Sequence, residues 1–266
     1  MRLKIIFSIP KLPIFYRQRF MSLIKEALEK SDSNYKKSLY PDESVVKSKI
    51  AKPFCFSISM PKDRTIKKEK IIIDEALEIE DIVFYFPQGS YLSFYLSSFD
   101  YQFIVNLYNG LLEIKEFDFG NGITLKLNRI FMLNESEIKT DEAVFKIKSP
   151  VLIEDRKEKP ILPTGSDIDY FNEQFNAIHD RILKDIRGEG LKRDLVFYPL
   201  KIKKQVIKHT LKGFREKTGK PYMMLTCFGG SFKLKGDPID LQMLYQIGIG
   251  LRTGQGFGMV DVVWQA

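Results

Sequence analysis

Several residue types that build sites in other proteins are scarce in this chain. Its 266 residues include only two cysteines, two histidines and one tryptophan. Cys55 and Cys227 each lie in an apolar, strand-like run, and no cysteine or histidine has the spacing of a metal site. We therefore expect two buried thiols in a reducing cytoplasm, no bound metal and no cofactor.

Long apolar runs are also missing. No stretch approaches the roughly 20 apolar residues that a membrane helix needs, and the first nine residues are too short and too charged for a signal peptide. The expected location is therefore the cytoplasm, with no membrane partner.

Acidic residues do not balance the basic ones. The chain has 42 Lys and Arg against 34 Asp and Glu, which gives a net charge of +8 and a pI near 9.2. A basic excess favours a polyanionic partner, although a lysine-rich proteome would give the same balance. The length suits two domains of about 130 residues each.

The hydrophobic pattern predicts the same order of elements twice. The first half is predicted to contain strands at 2–9, 53–60, 71–86, 91–97 and 123–133 and helices at 16–29 and 99–114, with a polar loop at 31–52 and a basic hairpin tip at 62–70. The second half is predicted to contain strands at 143–153, 195–199, 205–211, 222–234 and 257–263 and helices at 167–186 and 238–247.

This order is the βαββαβ pattern of ferredoxin-like domains. We therefore predict an α+β protein with two tandem ferredoxin-like domains, 1–137 and 138–266. The boundary is expected in the polar, acidic stretch 134–141.

The strongest local signal is a glycine-rich run between the last helix and the last strand. Residues 247–260 read Ile-Gly-Ile-Gly-Leu-Arg-Thr-Gly-Gln-Gly-Phe-Gly-Met-Val, with five glycines in eleven positions. Glycine permits positive φ and close backbone approach, so we expect a surface that a polyanion touches. A plain turn needs fewer glycines, and a dinucleotide fingerprint needs a strand before it and a helix after it.

This helix, glycine run and terminal strand resemble the signature of the RAMP (repeat-associated RNA-binding) proteins, and more narrowly the CRISPR precursor-RNA endoribonucleases. Lys52-Pro-Phe-Cys-Phe-Ser-Ile58 is similar to that family's lysine-plus-aromatic strand. The resemblance implies CRISPR repeat RNA as partner and metal-free cleavage. The ribose 2′-OH attacks the adjacent phosphate, leaving a 2′,3′-cyclic phosphate and a 5′-OH, to mature guide RNAs for antiviral defence.

The chain departs from the family at the catalytic positions. Many members carry a histidine in the loop after the first helix, a tyrosine on that helix and a lysine at the start of the next strand. No histidine lies in 31–52, and the expected position holds Tyr40, Pro41, Asp42, Glu43 and Ser44. Lys25 stands where the tyrosine is expected, and Lys52 is retained.

The resemblance thus implies Lys52, Lys25 and Tyr40 as catalytic residues of a histidine-poor member, with Tyr35 as an alternative to Tyr40. The two lysines would hold the phosphate and transfer protons. Alternatively, the protein binds repeat RNA but cuts it slowly or not at all.

The predicted RNA-binding residues fall in two segments. Arg252 sits between glycines, where it holds RNA rather than cuts it. The full set is Arg252, Gly250, Gly254, Gly256, Lys201, Lys203, Lys204, Lys208 and His209. The lysines could instead protect an exposed edge strand. His209 is expected either on the solvent side of its strand near RNA or in a structural role, and His179 in a structural role.

Two other functions stay open. The chain could be a non-catalytic RAMP subunit of a CRISPR effector complex, with the other subunits as partners, or a general RNA-binding module. A monomer and a homodimer are both compatible with the sequence.

Overall fold

The computed structural model describes residues 1–41, 51–74, 77–164 and 167–265. The strands of the first half are β1 (Arg2–Ser8), β2 (Lys11–Pro13), β3 (Phe54–Ser59), β4 (Thr65–Asp74), β5 (Leu77–Tyr85), β6 (Tyr91–Ser98), β7 (Glu116–Gly120) and β8 (Ile123–Leu133). Its helices are α1 (Tyr16–Ser31), α2 (Ser33–Leu39) and α3 (Tyr101–Ile114).

The second half has fewer strands. They are β9 (Glu142–Ile147), β10 (Val196–His209), β11 (Met223–Lys235) and β12 (Val260–Gln265). The helices are α4 (Ile168–Arg187), α5 (Lys212–Thr218) and α6 (Pro238–Ile247), and a 3-10 turn spans Thr253–Gln255.

Each half contains one antiparallel sheet with ferredoxin-like strand order. The first sheet is ordered β3-β6-β1-β8-β7 and the second β10-β11-β9-β12. Numbered within each βαββαβ unit, both sheets read 2-3-1-4, and β7 adds a fifth strand at one edge of the first. The predicted α+β class and the tandem ferredoxin-like architecture are confirmed.

Apolar residues that alternate along the strands and recur every 3.6 residues along the helices form the core of the first half. β1 buries Leu3, Ile5 and Phe7 on one face, as alternation along a strand requires. α1 buries apolar residues at helical spacing, including Phe20 and Ile24, against that face. The sheet and the helices therefore share one apolar layer.

The two helices of this layer approach each other closely. A Cβ added to Gly110 of α3 would lie 1.8 Å from the carbonyl oxygen of Ala27 in α1. Only glycine leaves room for that carbonyl, so Gly110 sets the distance between the helices.

In the first half two strands were missed and other predicted elements were wrong. Lys11–Pro13 is one of the missed strands, and it pairs with β5 in a third sheet, ordered β2-β5-β4. The predicted hairpin tip at 62–70 is strand from Thr65 onward. The loop predicted at 31–52 contains α2, whose first backbone N–H groups are capped by the carboxylate of Asp32; residues 42–50 lie outside the described residues. β7 was missed.

Two predictions for the second half were also wrong. The strands expected at 195–199 and 205–211 form the single strand β10, with a bulge between Pro199 and Lys201. Strand β10 continues past Pro199 because it pairs along its length with β11, which is almost as long. A bulge at this position accommodates the proline, which has no N–H to donate. The short helix α5 was missed.

Charged side chains connect the third sheet to the second half of the chain. Arg215 pairs with Asp74 at 2.6 Å, and Lys208 pairs with the buried Asp81 at 2.5 Å. None of the described helices is long and apolar enough to span a bilayer. Both cysteines are buried free thiols, as expected.

We predict that Gly110→Ala lowers the free energy of unfolding by about 1–3 kcal/mol, the usual cost of overpacking, because its Cβ overlaps the Ala27 carbonyl. Gly213→Ala on α5 is the matched control, since a Cβ there meets no atom within 4 Å. The control should be neutral or stabilising by up to about 1 kcal/mol. Urea unfolding measures both, and equal effects would contradict the close crossing.

Candidate functional site

The three predicted catalytic side chains lie together. Lys25 projects from α1, Tyr40 follows α2, and Lys52 precedes β3. The ammonium nitrogens of Lys52 and Lys25 lie 4.4 and 4.9 Å from the centroid of the Tyr40 ring. The Lys52 ammonium also donates to the carbonyl oxygen of Leu39. We call Lys25, Tyr40 and Lys52 the lysine cluster.

The environment of the lysine cluster shifts two pKa values. Burial, and then the neighbouring Lys25 cation, lowers the pKa of Lys52 to about 8. A minority of Lys52 is therefore a neutral amine at neutral pH, as a general base requires. Burial raises the pKa of Tyr40 above its ordinary value, so Tyr40 stays a neutral phenol.

Tyr35, the alternative to Tyr40, is already engaged. Its hydroxyl donates to a carboxylate oxygen of Asp100 at 2.6 Å. Burial and this hydrogen bond raise the pKa of Tyr35. Tyr35 therefore ties α2 to the start of α3, and Tyr40 is the tyrosine that faces both lysines.

The glycine run, here called the glycine loop (residues 248–258), packs against β3. A Cβ added to Gly254 would lie 2.9 Å from Cγ of Lys52, and one added to Gly256 would lie 2.6 Å from the ring of Phe56. The loop therefore borders the lysine cluster, and its glycines let two backbones approach.

The three glycines predicted to bind RNA are buried. Gly254 and Gly256 face β3, and a Cβ on Gly250 would lie 2.5 Å from the carbonyl oxygen of Leu152. Gly250 and Gly256 also have φ of +81° and +86°, which side chains rarely adopt. Protein packing therefore requires these glycines, and their contact with RNA stays a prediction.

Arg252 lies at the accessible side of the glycine loop. It adopts left-handed backbone geometry, with φ of 60°, and is half-buried. Its guanidinium donates to the side-chain oxygen of Gln255 at 3.4 Å. Among the described residues it has no carboxylate partner.

His209 does not lie on a solvent-facing side of its strand, and that prediction was wrong. It is 2% exposed, its Nε2 lies 3.0 Å from the Gln255 side-chain oxygen, and its ring meets Phe257 edge-on. Burial, then the cations of Arg17 and Arg252, lowers its pKa to about 3. His209, at the end of β10, is therefore a neutral side chain that packs against Gln255 and Phe257 of the glycine loop.

His179 also supports the glycine loop, as its expected structural role requires. Its Nε2 accepts from the backbone N–H of Gly250 at 2.9 Å, and its Nδ1 lies 2.7 Å from the carbonyl of Phe175. Burial lowers the pKa of His179 to about 4. The neutral ring, protonated at Nδ1, satisfies both contacts.

The lysines predicted on β10 divide into two groups. Lys201, Lys203 and Lys204 are exposed and have no ion-pair partner in the part of the chain that the structure describes. Lys208 is instead held by Asp81, which is 5% exposed. The ion pair with Asp81 joins the two halves of the chain, and RNA binding by Lys208 stays a prediction.

Arg17 was not among the predicted site residues. It lies in the first turn of α1, it is 8% exposed, and its Nε donates to the carbonyl of Gly256 at 3.4 Å. The sequence does contain a signal for it: a cation in the first turn of a helix is unfavourable beside the positive end of the helix dipole, so its presence there calls for a reason. A sequence pattern does not show that this arginine points at a loop about 240 residues away.

Residues 133–262, which include the glycine loop, match the family described as CRISPR associated protein Cas6, C-terminal.

Solved structures have the same fold along the whole chain. A Cas6-related protein from Pyrococcus furiosus superposes with a TM-score of 0.73 at 20% identity, covering 100% of this chain and 99% of that one. A RAMP protein described as binding different RNA substrates gives 0.68 at 20%, covering 99% and 100%. A Cas6 product complex gives 0.64 at 11%, covering 98% and 99%. No curated protein sequence matches the chain.

We predict that acid destabilises the glycine loop through His179. In the unfolded chain this histidine titrates near pH 6.5, whereas the fold keeps it neutral down to about pH 4. Stability is therefore complete above pH 6.5 and falls by up to about 3 kcal/mol as the pH drops to about 4. Urea unfolding at several pH values measures this slope.

His179→Gln should make that slope shallower, because the group that takes up the proton on unfolding is gone. The exposed Lys203→Met is the control and should leave the slope unchanged. An unaltered slope in His179→Gln would show that this histidine is not held neutral by the fold.

Proposed function

We propose that this protein is a CRISPR precursor-RNA endoribonuclease that binds repeat RNA and cleaves it without a metal ion. The observation that carries the proposal is the lysine cluster beside the glycine loop: Lys52 contacts Gly254 and shares the Tyr40 ring with Lys25. The match of residues 133–262 to the Cas6 C-terminal family and the shared fold with a Cas6 product complex support the same function.

The reaction requires a base, a cation and an acid. The neutral amine of Lys52 takes the proton of a ribose 2′-OH, and the resulting oxygen attacks the adjacent phosphorus. The bond from phosphorus to the 5′ oxygen breaks, leaving a 2′,3′-cyclic phosphate. The Lys25 ammonium stabilises the non-bridging oxygens and supplies the proton that the departing 5′ oxygen takes up.

Tyr40 contributes as a neutral group. Its ring face attracts both ammonium groups, which keeps two like charges close enough for Lys25 to lower the pKa of Lys52. Its phenol can donate a hydrogen bond to the RNA but does not act as a base at neutral pH.

Cations outside the lysine cluster are proposed to bind the rest of the RNA backbone. We assign phosphate binding to Arg252 and to the β10 residues Lys201, Lys203 and Lys204, which have no ion-pair partner among the described residues. The two domains are proposed to divide within 134–141, between β8 and β9, so that the RNA contacts elements of both.

One observation favours a second candidate, a non-catalytic RAMP subunit of a CRISPR effector complex. Both histidines are buried and neutral, so no imidazole reaches the lysine cluster. A protein of this kind would bind repeat RNA without cutting it.

We predict cleavage of repeat RNA in EDTA, and loss of that cleavage in Lys52→Met. The rate should fall at least 100-fold, since the proton-transfer group is removed, while the dissociation constant changes no more than about twofold. Lys203→Met is the matched control and should weaken binding while sparing the rate at saturating protein. Single-turnover assays with labelled RNA separate the two effects.

The pH profile of wild-type cleavage tests the role of Lys52. The rate should rise with pH and level off above about 8, where the amine is neutral. A rate that does not rise between pH 6 and 8 would make Lys52 an electrostatic group only. No product at stoichiometric protein would favour the non-catalytic subunit.

Gly254→Ala should slow cleavage by displacing Lys52, because its Cβ would lie 2.9 Å from Cγ of that lysine. The φ of Gly254 is not in the left-handed region, so alanine adds a contact without backbone strain. We expect a rate loss of about 10-fold or more with affinity retained. In the Lys52→Met background the substitution should have no further effect; additive losses would indicate direct RNA contact by Gly254.

A further inference from the structure

Arg17 is a buried cation without an anion. It is 8% exposed, and no carboxylate of the described residues lies within ion-pair distance of its guanidinium. Its polar contact is the Nε donation to the Gly256 carbonyl at 3.4 Å, and its guanidinium lies over the rings of Tyr16 and Phe257 at 4.8 and 5.1 Å. Burying an unpaired charge is costly.

Arg2 shows how this protein pairs a buried arginine when the role is structural. It is 4% exposed and also joins the first strand to the second half. Its guanidinium donates to the carboxylate of Asp261 at 2.6 Å and to the carbonyls of Tyr245 and Val260. Arg17 is buried to a similar degree, yet within the described part of the chain its guanidinium has no carboxylate partner.

The Arg17 guanidinium lines a small cavity between the two halves. The cavity has a volume of about 50 Å³ and is walled by Tyr16, Arg17, Ser57, Lys148, Ser149 and Gly256, among others. That volume admits a phosphate group or a few waters but excludes a base. Ser149 accepts a hydrogen bond from the N–H of Met259, which leaves its own O–H to donate.

The start of α1 adds positive potential at the same place. The 16-residue helix begins at Tyr16, its cap residue Phe15 makes no side-chain hydrogen bond, and its first turn holds no acidic residue. Helix N-termini of this kind attract anions. The helix end and the buried guanidinium therefore favour the same type of ligand.

We propose that this Arg17 pocket binds one phosphate group of the RNA backbone and so anchors the strand against the glycine loop. The proposal rests on the proposed function. Arg17 contacts the loop at Gly256 and Lys52 contacts it at Gly254. A phosphate held by Arg17 would thereby fix the position of the RNA relative to the lysine cluster, which makes Arg17 a binding residue rather than a catalytic one.

The pocket has a consequence for the free protein. Because the Arg17 charge is uncompensated, Arg17→Met should raise the melting temperature in the absence of phosphate. Inorganic phosphate at constant ionic strength should stabilise the wild type and not this variant. A purely structural arginine would give the opposite result, a lower melting temperature with no change in the response to phosphate.

The experiment compares thermal unfolding of the full chain in inorganic phosphate and in chloride of equal ionic strength. The variants are Arg17→Met, Arg17→Lys and the control Arg19→Met. Arg19 lies in the same turn of α1 but donates to the backbone carbonyl of Asp118. Arg17→Lys keeps the charge and should retain part of the phosphate response, which preserves the test if Arg17→Met does not fold. Arg19→Met should respond as the wild type does.

A second measurement identifies the source of the phosphate. In Arg17→Met the dissociation constant for repeat RNA should rise roughly ten-fold at 0.1 M salt, and the slope of its logarithm against the logarithm of salt should fall by about 1. A phosphate response without any change in this slope would assign the pocket to free phosphate and overturn the RNA assignment.

The outcomes separate this proposal from the proposed function. If the phosphate response and the altered RNA slope both depend on Arg17 but no RNA is cleaved, the pocket stands and the endoribonuclease assignment fails. If RNA is cleaved and phosphate stabilises the wild type and Arg17→Met equally, the pocket is rejected and the enzyme remains.

Discussion

The contact between the glycine loop and β3 is the constraint on which the rest of this structure depends. Here the last crossover of the second sheet meets the edge strand of the first, with Gly254 against Lys52 and Phe54, and Gly256 against Phe56. Side chains at either glycine would separate the two surfaces. The lysine cluster, the Arg17 cavity and the two neutral histidines all lie around this contact, so one packing requirement places all of these groups.

Electrostatics at the contact are arranged by burial. Burial keeps both histidines neutral, where they serve as hydrogen-bonding supports for the loop. Burial and the Lys25 cation also bring the pKa of Lys52 to about 8. Burial thus lowers the pKa of both histidines far below neutral, and it also brings the pKa of Lys52 close enough to neutral for this lysine to exchange protons. A chain this poor in histidine can still offer a base beside a phosphate.

Counter-ions distinguish the residues that hold the fold from those that face a ligand. Arg2, Lys208 and Arg215 each meet an aspartate and connect the two halves of the chain. Arg17 and Arg252 have no such partner among the described residues, although both contact the glycine loop or its turn. Basic composition alone does not separate these groups, because all five are cations in a chain with a net charge of +8.

The sequence by itself determined the tandem ferredoxin-like fold, since strand and helix periodicities are local and recur in one order in both halves. The resemblance to the RNA-processing family pointed to Lys25, Tyr40 and Lys52, which the structure brings together. Only the tertiary structure decided which side of the glycine loop faces protein, that His209 and Lys208 are engaged internally, and that Arg17 reaches the loop. The physical reason is that burial and pairing depend on contacts between residues far apart in the chain. A pattern shows that a residue is charged, but not whether its partner is an aspartate, a carbonyl or a ligand.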